Sequence, residues 1–270
     1  MSSGYDYKFQ INGVNNFTVK YYIAENTKIL SERIFPPHVD DAIEFYILFE
    51  GDASFSIENH VYKLSPMDVV VSKPNQIHNC ILNSSTMHKH ACFWFNVDNS
   101  FLYKKFLEMK THVISPTYED GLKLQKIIKK INDLSKSNED LTKFSLFISM
   151  LEIFANNVSQ DNIEEVIPAI LKEILDDLND NFTTINSLDY FTKKYNISSS
   201  TLNRLFKDHL STSPKLFLET KRLAYSRTLL RKGESVMDAC MKSGFPDYSN
   251  YIRLFKKRFN VTPNQYKKNK

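Results

Sequence analysis

The chain has 270 residues, enough for two domains with separate cores, and its 42% apolar and 24% charged content is ordinary for a globular protein. No apolar run approaches the roughly 18 residues of a membrane span, and the first residues lack the basic flank and apolar stretch of a signal peptide. Three cysteines, Cys80, Cys92 and Cys240, have no CxxC spacing and fit buried thiols in a reducing compartment, so the expected setting is the cytoplasm without membrane contact. The net charge of +4 conceals an asymmetry. Residues 182–270 carry 18 Lys+Arg against 6 Asp+Glu, a balance of +12, whereas residues 1–181 carry −8. A basic domain attracts polyanions and releases their counterions.

Residues 17–100 read mostly as strands. Phe45-Tyr46-Ile47-Leu48-Phe49 is a short aromatic and β-branched run ended by Glu50-Gly51-Asp52, and Ala53 to Ile57 alternates apolar with polar. Val61 to Leu64, Val69 to Val71 and Ala91 to Val97 follow, separated by turn residues such as Ser65-Pro66 and Pro74-Asn75. Short strands at this spacing predict a β-sandwich or small barrel. His88 and His90 share one strand face, which an exposed strand accounts for.

After Ser100 the period changes. Leu122, Leu124, Ile127, Ile128, Ile131 and Leu134 mark an amphipathic helix. Asn138 or Asp140 can cap a second, carrying Leu141, Phe144, Phe147, Ile148, Leu151 and Phe154. Its apolar content exceeds what one helical face needs, which predicts a homodimer through the helix pair. A polar stretch near Ser159–Asn162 reads as the linker.

From Val166 the chain reads as helical to its end. One helix carries Ile167, Ile170, Leu171, Ile174, Leu175 and Leu178, and a short one covers residues 187–194. Ser198 caps a helix to about His209, and Ser213-Pro214 starts a long helix that reaches Arg231 and stops at Lys232-Gly233. Ser235 caps a short helix, Asp247 caps one to Arg258, and Thr262-Pro263 starts the last.

Within this region Arg204-Leu205-Phe206-Lys207 recurs as Arg253-Leu254-Phe255-Lys256. Ser200 matches Ser249, Ser213-Pro214 matches Thr262-Pro263, and Phe217 matches Tyr266. One supersecondary unit used twice is implied, namely two helix-turn-helix units on a helical spacer of about 27 Å. Successive major-groove segments on one face of B-DNA lie roughly 34 Å apart, so two second helices at the ends of the spacer could enter adjacent grooves. Leu205, Phe206, Leu254 and Phe255 are the expected core anchors.

These residues resemble the AraC/XylS family of bacterial transcription regulators. The resemblance spans Ile167 to Lys268 and includes Leu202-x-Arg204-x-Phe206-Lys207, Lys221-Arg222-Leu223-Ala224 and Gly244-Phe245-x-Asp247-x-Ser249-x-Tyr251-x-Arg253-x-Phe255-Lys256-Lys257. Ser211 and Asn260 stand where the family has Gly after each second helix. Because Ser accepts positive φ less readily than Asn, the first unit is expected to end differently. The resemblance implies double-stranded DNA as partner. Ser200, Thr201, Asn203 and Arg204 would face bases from the first unit, and Tyr248, Ser249, Asn250, Ile252 and Arg253 from the second. Lys207, Lys256, Lys257 and Arg258 suit phosphates.

The N-terminal half is similar to the cupin-like sensor domain of such regulators, in Pro37-His38, Glu44-Phe45-Tyr46, Gly51, Pro66-x-Asp68 and Pro74-x-x-x-His78. A small-molecule effector, a sugar or another metabolite, is therefore expected against His38, Phe45, Tyr46, His78 and Trp94. His38-x-Asp40-x-x-x-Glu44, with His78, also resembles a cupin metal motif in which Asp replaces the second His. No metal, cofactor or catalytic group is expected, and both histidines are taken as pocket residues.

The expected fold is multi-domain α+β: a cupin-like β-barrel at 1–112, a helical dimerisation and coupling segment at 113–160, a linker at 161–166, and an all-α double helix-turn-helix domain at 167–270. The expected function is a ligand-responsive, sequence-specific DNA-binding regulator, an activator by resemblance, which would then meet RNA polymerase. Two other readings remain. One is a cupin metalloenzyme with a basic appendage, which leaves the duplicated unit unexplained. The other is a regulator whose β-domain only dimerises.

Overall fold

The computed structural model describes residues 7–11, 17–27, 36–84, 87–96, 101–158 and 167–268. Two antiparallel sheets form the N-terminal part. The larger has the order β1-β2-β8-β3-β6-β9, from β1 (Tyr7–Ile11), β2 (Phe17–Thr27), β8 (His88–Asn96), β3 (Ile43–Glu50), β6 (Val69–Ser72) and β9 (Val113–Ile114). The smaller has the order β5-β4-β7, from β5 (His60–Lys63), β4 (Ala53–Ile57) and β7 (His78–Leu82).

Strand alternation decides what each face holds. On β3, Ile43, Phe45 and Ile47 face outward with Val69, Val71, Ala91, Phe93 and Phe95, and the appended helices cover them. Tyr46 and Leu48 face inward, against Phe55, Ile57, Leu64, Val70, Cys80 and Cys92, closing the space between the sheets. The covering helices are α1 (Phe101–Glu108), α2 (Tyr118–Asp133) and α3 (Asp140–Asn156). Leu124, Ile128 and Ile131 of α2 meet Phe147, Met150, Leu151 and Phe154 of α3 in that outer core.

Two details of this pair differ from the sequence reading. Glu139, not Asn138 or Asp140, occupies the N-cap of α3, and no side chain caps it. Leu141 is 74% exposed and Leu122 41%, so neither belongs to the core. The helical period admits both, but α2 and α3 turn a second apolar edge outward. The expected linker at 161–166 lies outside the described residues.

The C-terminal part runs α4 (Ala169–Asn181), α5 (Asp189–Lys194), α6 (Ser199–Leu210), α7 (Pro214–Arg231), α8 (Val236–Lys242), α9 (Tyr248–Phe259) and α10 (Pro263–Lys268). Helix α7 is buried nearly all round. Phe217, Leu218 and Ala224 enter a core with Leu171, Ile174, Phe191, Leu202 and Phe206, whereas Leu223, Leu229 and Leu230 enter one with Val236, Cys240, Tyr251 and Phe255. Each fully buried Leu is worth about 1.5–3 kcal/mol, so a spacer held on both sides is stiff. Val39, Val61, Ile77 and Ile81 of the β-domain join the first of these cores, so the barrel and the first helical unit share apolar packing. No helix among the described residues is long and apolar enough to cross a membrane.

Candidate functional site

Each second helix is started by a side-chain cap. Ser198 Oγ accepts from the Thr201 N–H at 3.1 Å, and Asp247 accepts from the Asn250 N–H. Each cap satisfies one of the backbone donors left over at a helix start, on the turn whose side chains carry the base-facing candidates. Both helices end in the same left-handed conformation, at Ser211 (φ 50°) and Asn260 (φ 58°). The expectation that the first unit ends differently is corrected. The Ser211 N–H donates to Lys207 O and the Thr212 N–H to Phe206 O, and these two bonds hold the serine where glycine is usual.

Ser200, Asn203, Arg204 and Lys207 are exposed on α6 with Thr201 half-buried, while Leu202, Phe206 and Leu210 are buried beneath them. On α9, Tyr248, Ser249, Arg253, Lys256 and Lys257 are exposed and Asn250 is half-buried. Arg253 Nη2 donates to Asn250 Oδ1 at 2.7 Å, which aligns the two base-facing candidates with each other. Ile252 is half-buried against the second core, as are Leu205 and Leu254 against theirs, so these two leucines anchor less fully than Phe206 and Phe255.

Arg258 departs from the expected phosphate role. Its guanidinium donates to the carbonyl of Pro37 in the β-domain. Sequence reasoning did not find this seam. Arg227, 3% exposed, donates to Asp40 O at 2.7 Å and Asn75 Oδ1 at 2.8 Å, and pairs with Asp41 at 2.8 Å. Arg231 also pairs with Asp41, at 2.5 Å. Lys221 pairs with Glu58, and Asn79 donates to Leu210 O at 3.1 Å. Arg227 on the apolar spacer was the available signal, since a buried guanidinium must find acceptors.

The effector candidates divide. Tyr46 and Trp94 lie on the inner face, Tyr46 stacked on His90 (centroids 5.2 Å) and tilted against Phe55 (4.8 Å). Phe45 lies on the other face, wedged against Phe106 at 5.0 Å and Phe154 at 4.9 Å, away from the rest. The pleat makes this unavoidable, because neighbouring residues of a strand cannot share a face. His88 and His90 are not on an exposed strand but 2% and 5% exposed, facing the interior. Tyr46 Oη sits 2.9 Å from His88 Nε2. Burial lowers the pKa of His88 to about 4, and burial with His88 nearby lowers His90 to about 3, so both imidazoles are neutral at pH 7.

At the end of the barrel, His38 and His78 lie with ring centroids 4.3 Å apart, joined by reciprocal backbone hydrogen bonds of 2.9 Å. His78 Nε2 donates to Glu44 Oε2 at 2.6 Å and lies 3.4 Å from Asp40 Oδ2. Burial alone would lower the His78 pKa, but the two carboxylates outweigh it and push it up to about 10. Asp40 is held well below the usual carboxylate range. Burial opposes this, but the neighbouring His78 and the other positive charge around it prevail.

Two family models match the chain, an AraC-like ligand binding domain over residues 27–120 and a helix-turn-helix domain over residues 191–269. The transcriptional activator RhaR of Mannheimia succiniciproducens is 23% identical over 270 residues, covering 92% of this chain and 94% of that protein. The activator RhaS of Escherichia coli is 31% identical over 119 residues, covering 44% of this chain and 42% of that protein. Among solved structures, ToxT from Vibrio cholerae is similar at 17% identity over 98% of this chain and 97% of that one, with a TM-score of 0.37.

Proposed function

This chain belongs to the AraC family of transcription regulators, and on that premise we propose how its residues divide the work. It is a ligand-responsive, sequence-specific DNA-binding regulator, and its relatives' names favour activation. As an activator it would contact RNA polymerase, in the cytoplasm, and it acts by binding rather than turnover.

The first turns of α6 and α9 enter successive major grooves. Ser200, Thr201, Asn203 and Arg204 read one segment, and Tyr248, Ser249, Asn250, Ile252 and Arg253 the other. Lys207, Lys256 and Lys257 take phosphates. The observation that carries this reading is the paired exposure of polar first turns over buried Phe206 and Phe255 at the two ends of one stiff helix. Tyr46, Trp94 and the neutral His88 and His90 give the β-domain stacking faces and hydrogen-bonding groups suited to a sugar or similar metabolite. The exposed edge of α2 and α3 supports a homodimer.

Duplexes enriched from a random pool and then footprinted test the DNA assignment. Two protected major-groove patches about one helical turn apart are expected for each chain. A single patch, or protection without sequence preference, would sink it. A thermal-shift screen of sugars and metabolites tests sensing, and no shift with any of them favours the dimerisation-only role.

A further inference from the structure

The cluster at the end of the barrel has a donor arrangement that an ion-pair network does not require. His38 Nδ1 lies 3.2 Å from the Pro36 carbonyl and His78 Nδ1 2.9 Å from the Gln76 carbonyl. Each Nδ1–H is thereby given to the backbone, and both Nε2 atoms turn toward the same two carboxylates. A carbonyl on Nδ1 is the usual outer partner of a metal-bound imidazole, fixing its tautomer and ring direction. Asp40 Oδ2 is buried without a hydrogen-bond partner of good geometry, although it points into the cluster. A buried carboxylate oxygen left this way calls for a partner.

One donor atom from each of His38, Asp40, Glu44 and His78 lies within 4.8 Å of all the others. The separations across the imidazole–carboxylate pairs are 2.6, 3.4, 3.8 and 3.9 Å. Four ligands at Zn–N and Zn–O distances of 2.0–2.1 Å stand about 3.3 Å apart in a tetrahedron, inside that spread. The His78–Glu44 pair must open and the His38 pairs must close. Two carboxylates also balance the charge of a divalent ion.

The same loop faces the other domain. Pro37 O accepts from Arg258 of α9, Asp40 O accepts from Arg227 of α7, and the Asp41 carboxylate holds Arg227, Arg231 and the Tyr266 hydroxyl. The Asn75 N–H donates to Asp40 O at 2.9 Å, and its side chain accepts from Arg227. Two of the four donors therefore sit on a six-residue segment, 36–41, against which the second helix-turn-helix unit rests.

We propose that His38, Asp40, Glu44 and His78 bind a divalent first-row transition ion of Zn2+-like geometry, and that the bound ion stiffens the 36–41 loop and with it the seat of α7 and α9. The ion replaces the proton that His78 shares with Glu44 and gives Asp40 Oδ2 its partner. Only the consequence for DNA rests on the regulator reading. Occupancy of the site and stiffness of the seam do not.

The test uses metal-stripped full-length protein titrated with Zn2+ against a chromophoric chelator. One ion per chain is expected, bound at least about 10-fold more weakly by His38→Gln and by Glu44→Gln. The His38 side chain is 36% exposed at the rim, so that variant keeps the test decisive if the buried Glu44→Gln fails to fold. Hydrogen exchange is then followed on the same samples. Zn2+ should slow exchange in 36–41 and along α7 and α9 in the wild type, and leave His38→Gln unchanged. Arg227→Gln should still bind the ion but lose the slowing in α9. No stoichiometric ion, or equal affinity in His38→Gln, overturns the site. Unchanged exchange at α7 and α9 with the ion bound overturns the linkage. DNA affinity, measured separately, counts for or against the regulator reading alone.

Discussion

Arg253→Ala is the sharpest probe of the base-reading assignment. Arg253 is exposed, and its hydrogen bond to Asn250 Oδ1, at 2.7 Å, is an i, i+3 contact on the outer face of α9. Such contacts contribute roughly 0.2–0.5 kcal/mol to a helix, so the variant should fold with stability changed by no more than about 0.5 kcal/mol. On DNA the loss is larger. A bidentate arginine–guanine pair discriminates by about 1–3 kcal/mol, or roughly 5- to 150-fold in affinity. Asn250 also holds the guanidinium before DNA arrives, so less side-chain freedom is lost on binding. Asn250→Ala should therefore weaken binding even where Asn250 touches no base.

The assay is fluorescence anisotropy on the selected duplex, on each of its single base-pair variants and on random DNA, at several salt concentrations. Arg253→Ala should flatten the preference at one base position. Lys257→Ala should weaken all sequences alike and reduce the salt slope by about one unit. If both substitutions lower cognate and random DNA by the same factor, Arg253 is a phosphate ligand and the groove assignment fails.

Gly244 has φ +82°, and a Cβ there would collide with the Thr183 carbonyl oxygen, whereas Gly233, at φ +93°, has nothing within 4 Å. In urea denaturation Gly233→Ala should cost about 1–2 kcal/mol, the left-handed penalty alone. Gly244→Ala should cost more than about 3 kcal/mol, and equal costs would contradict the close approach. For the dimer, Leu122→Glu with Leu141→Glu removes apolar surface that is 41% and 74% exposed. Sedimentation should shift from dimer to monomer with an unchanged circular dichroism spectrum, and a dimer that survives places the interface elsewhere.

The helical third was legible because its signals are local. Ser198, Ser213, Ser235 and Asp247 each cap the helix they were read to cap, by a bond to a backbone N–H three residues on. Pro214 and Gly233 mark the ends of the spacer through their own backbone preferences. At Ser211 local preference does not decide. Intrinsic preference disfavours φ 50° at serine, but two backbone bonds formed only in the folded turn outweigh it. In the β-domain the alternation was visible, but which of Phe45 and Tyr46 faces inward depends on which sheet covers which side.

The sequence by itself determined the duplicated unit, its caps and spacer, the charge asymmetry and the presence of a β-rich domain, since each is written in neighbouring residues or in a repeat. Tertiary structure alone decided the rest. It turned Phe45 away from Tyr46, buried His88 and His90, and set Arg258 on the Pro37 carbonyl. It also gathered His38, Asp40, Glu44 and His78 at one point beside the Arg227 seam. Arg227 and Asp40 are 187 residues apart, and no local preference can encode a contact over that distance. It forms because the shared apolar core of barrel and first unit brings a buried guanidinium to the acceptors it needs.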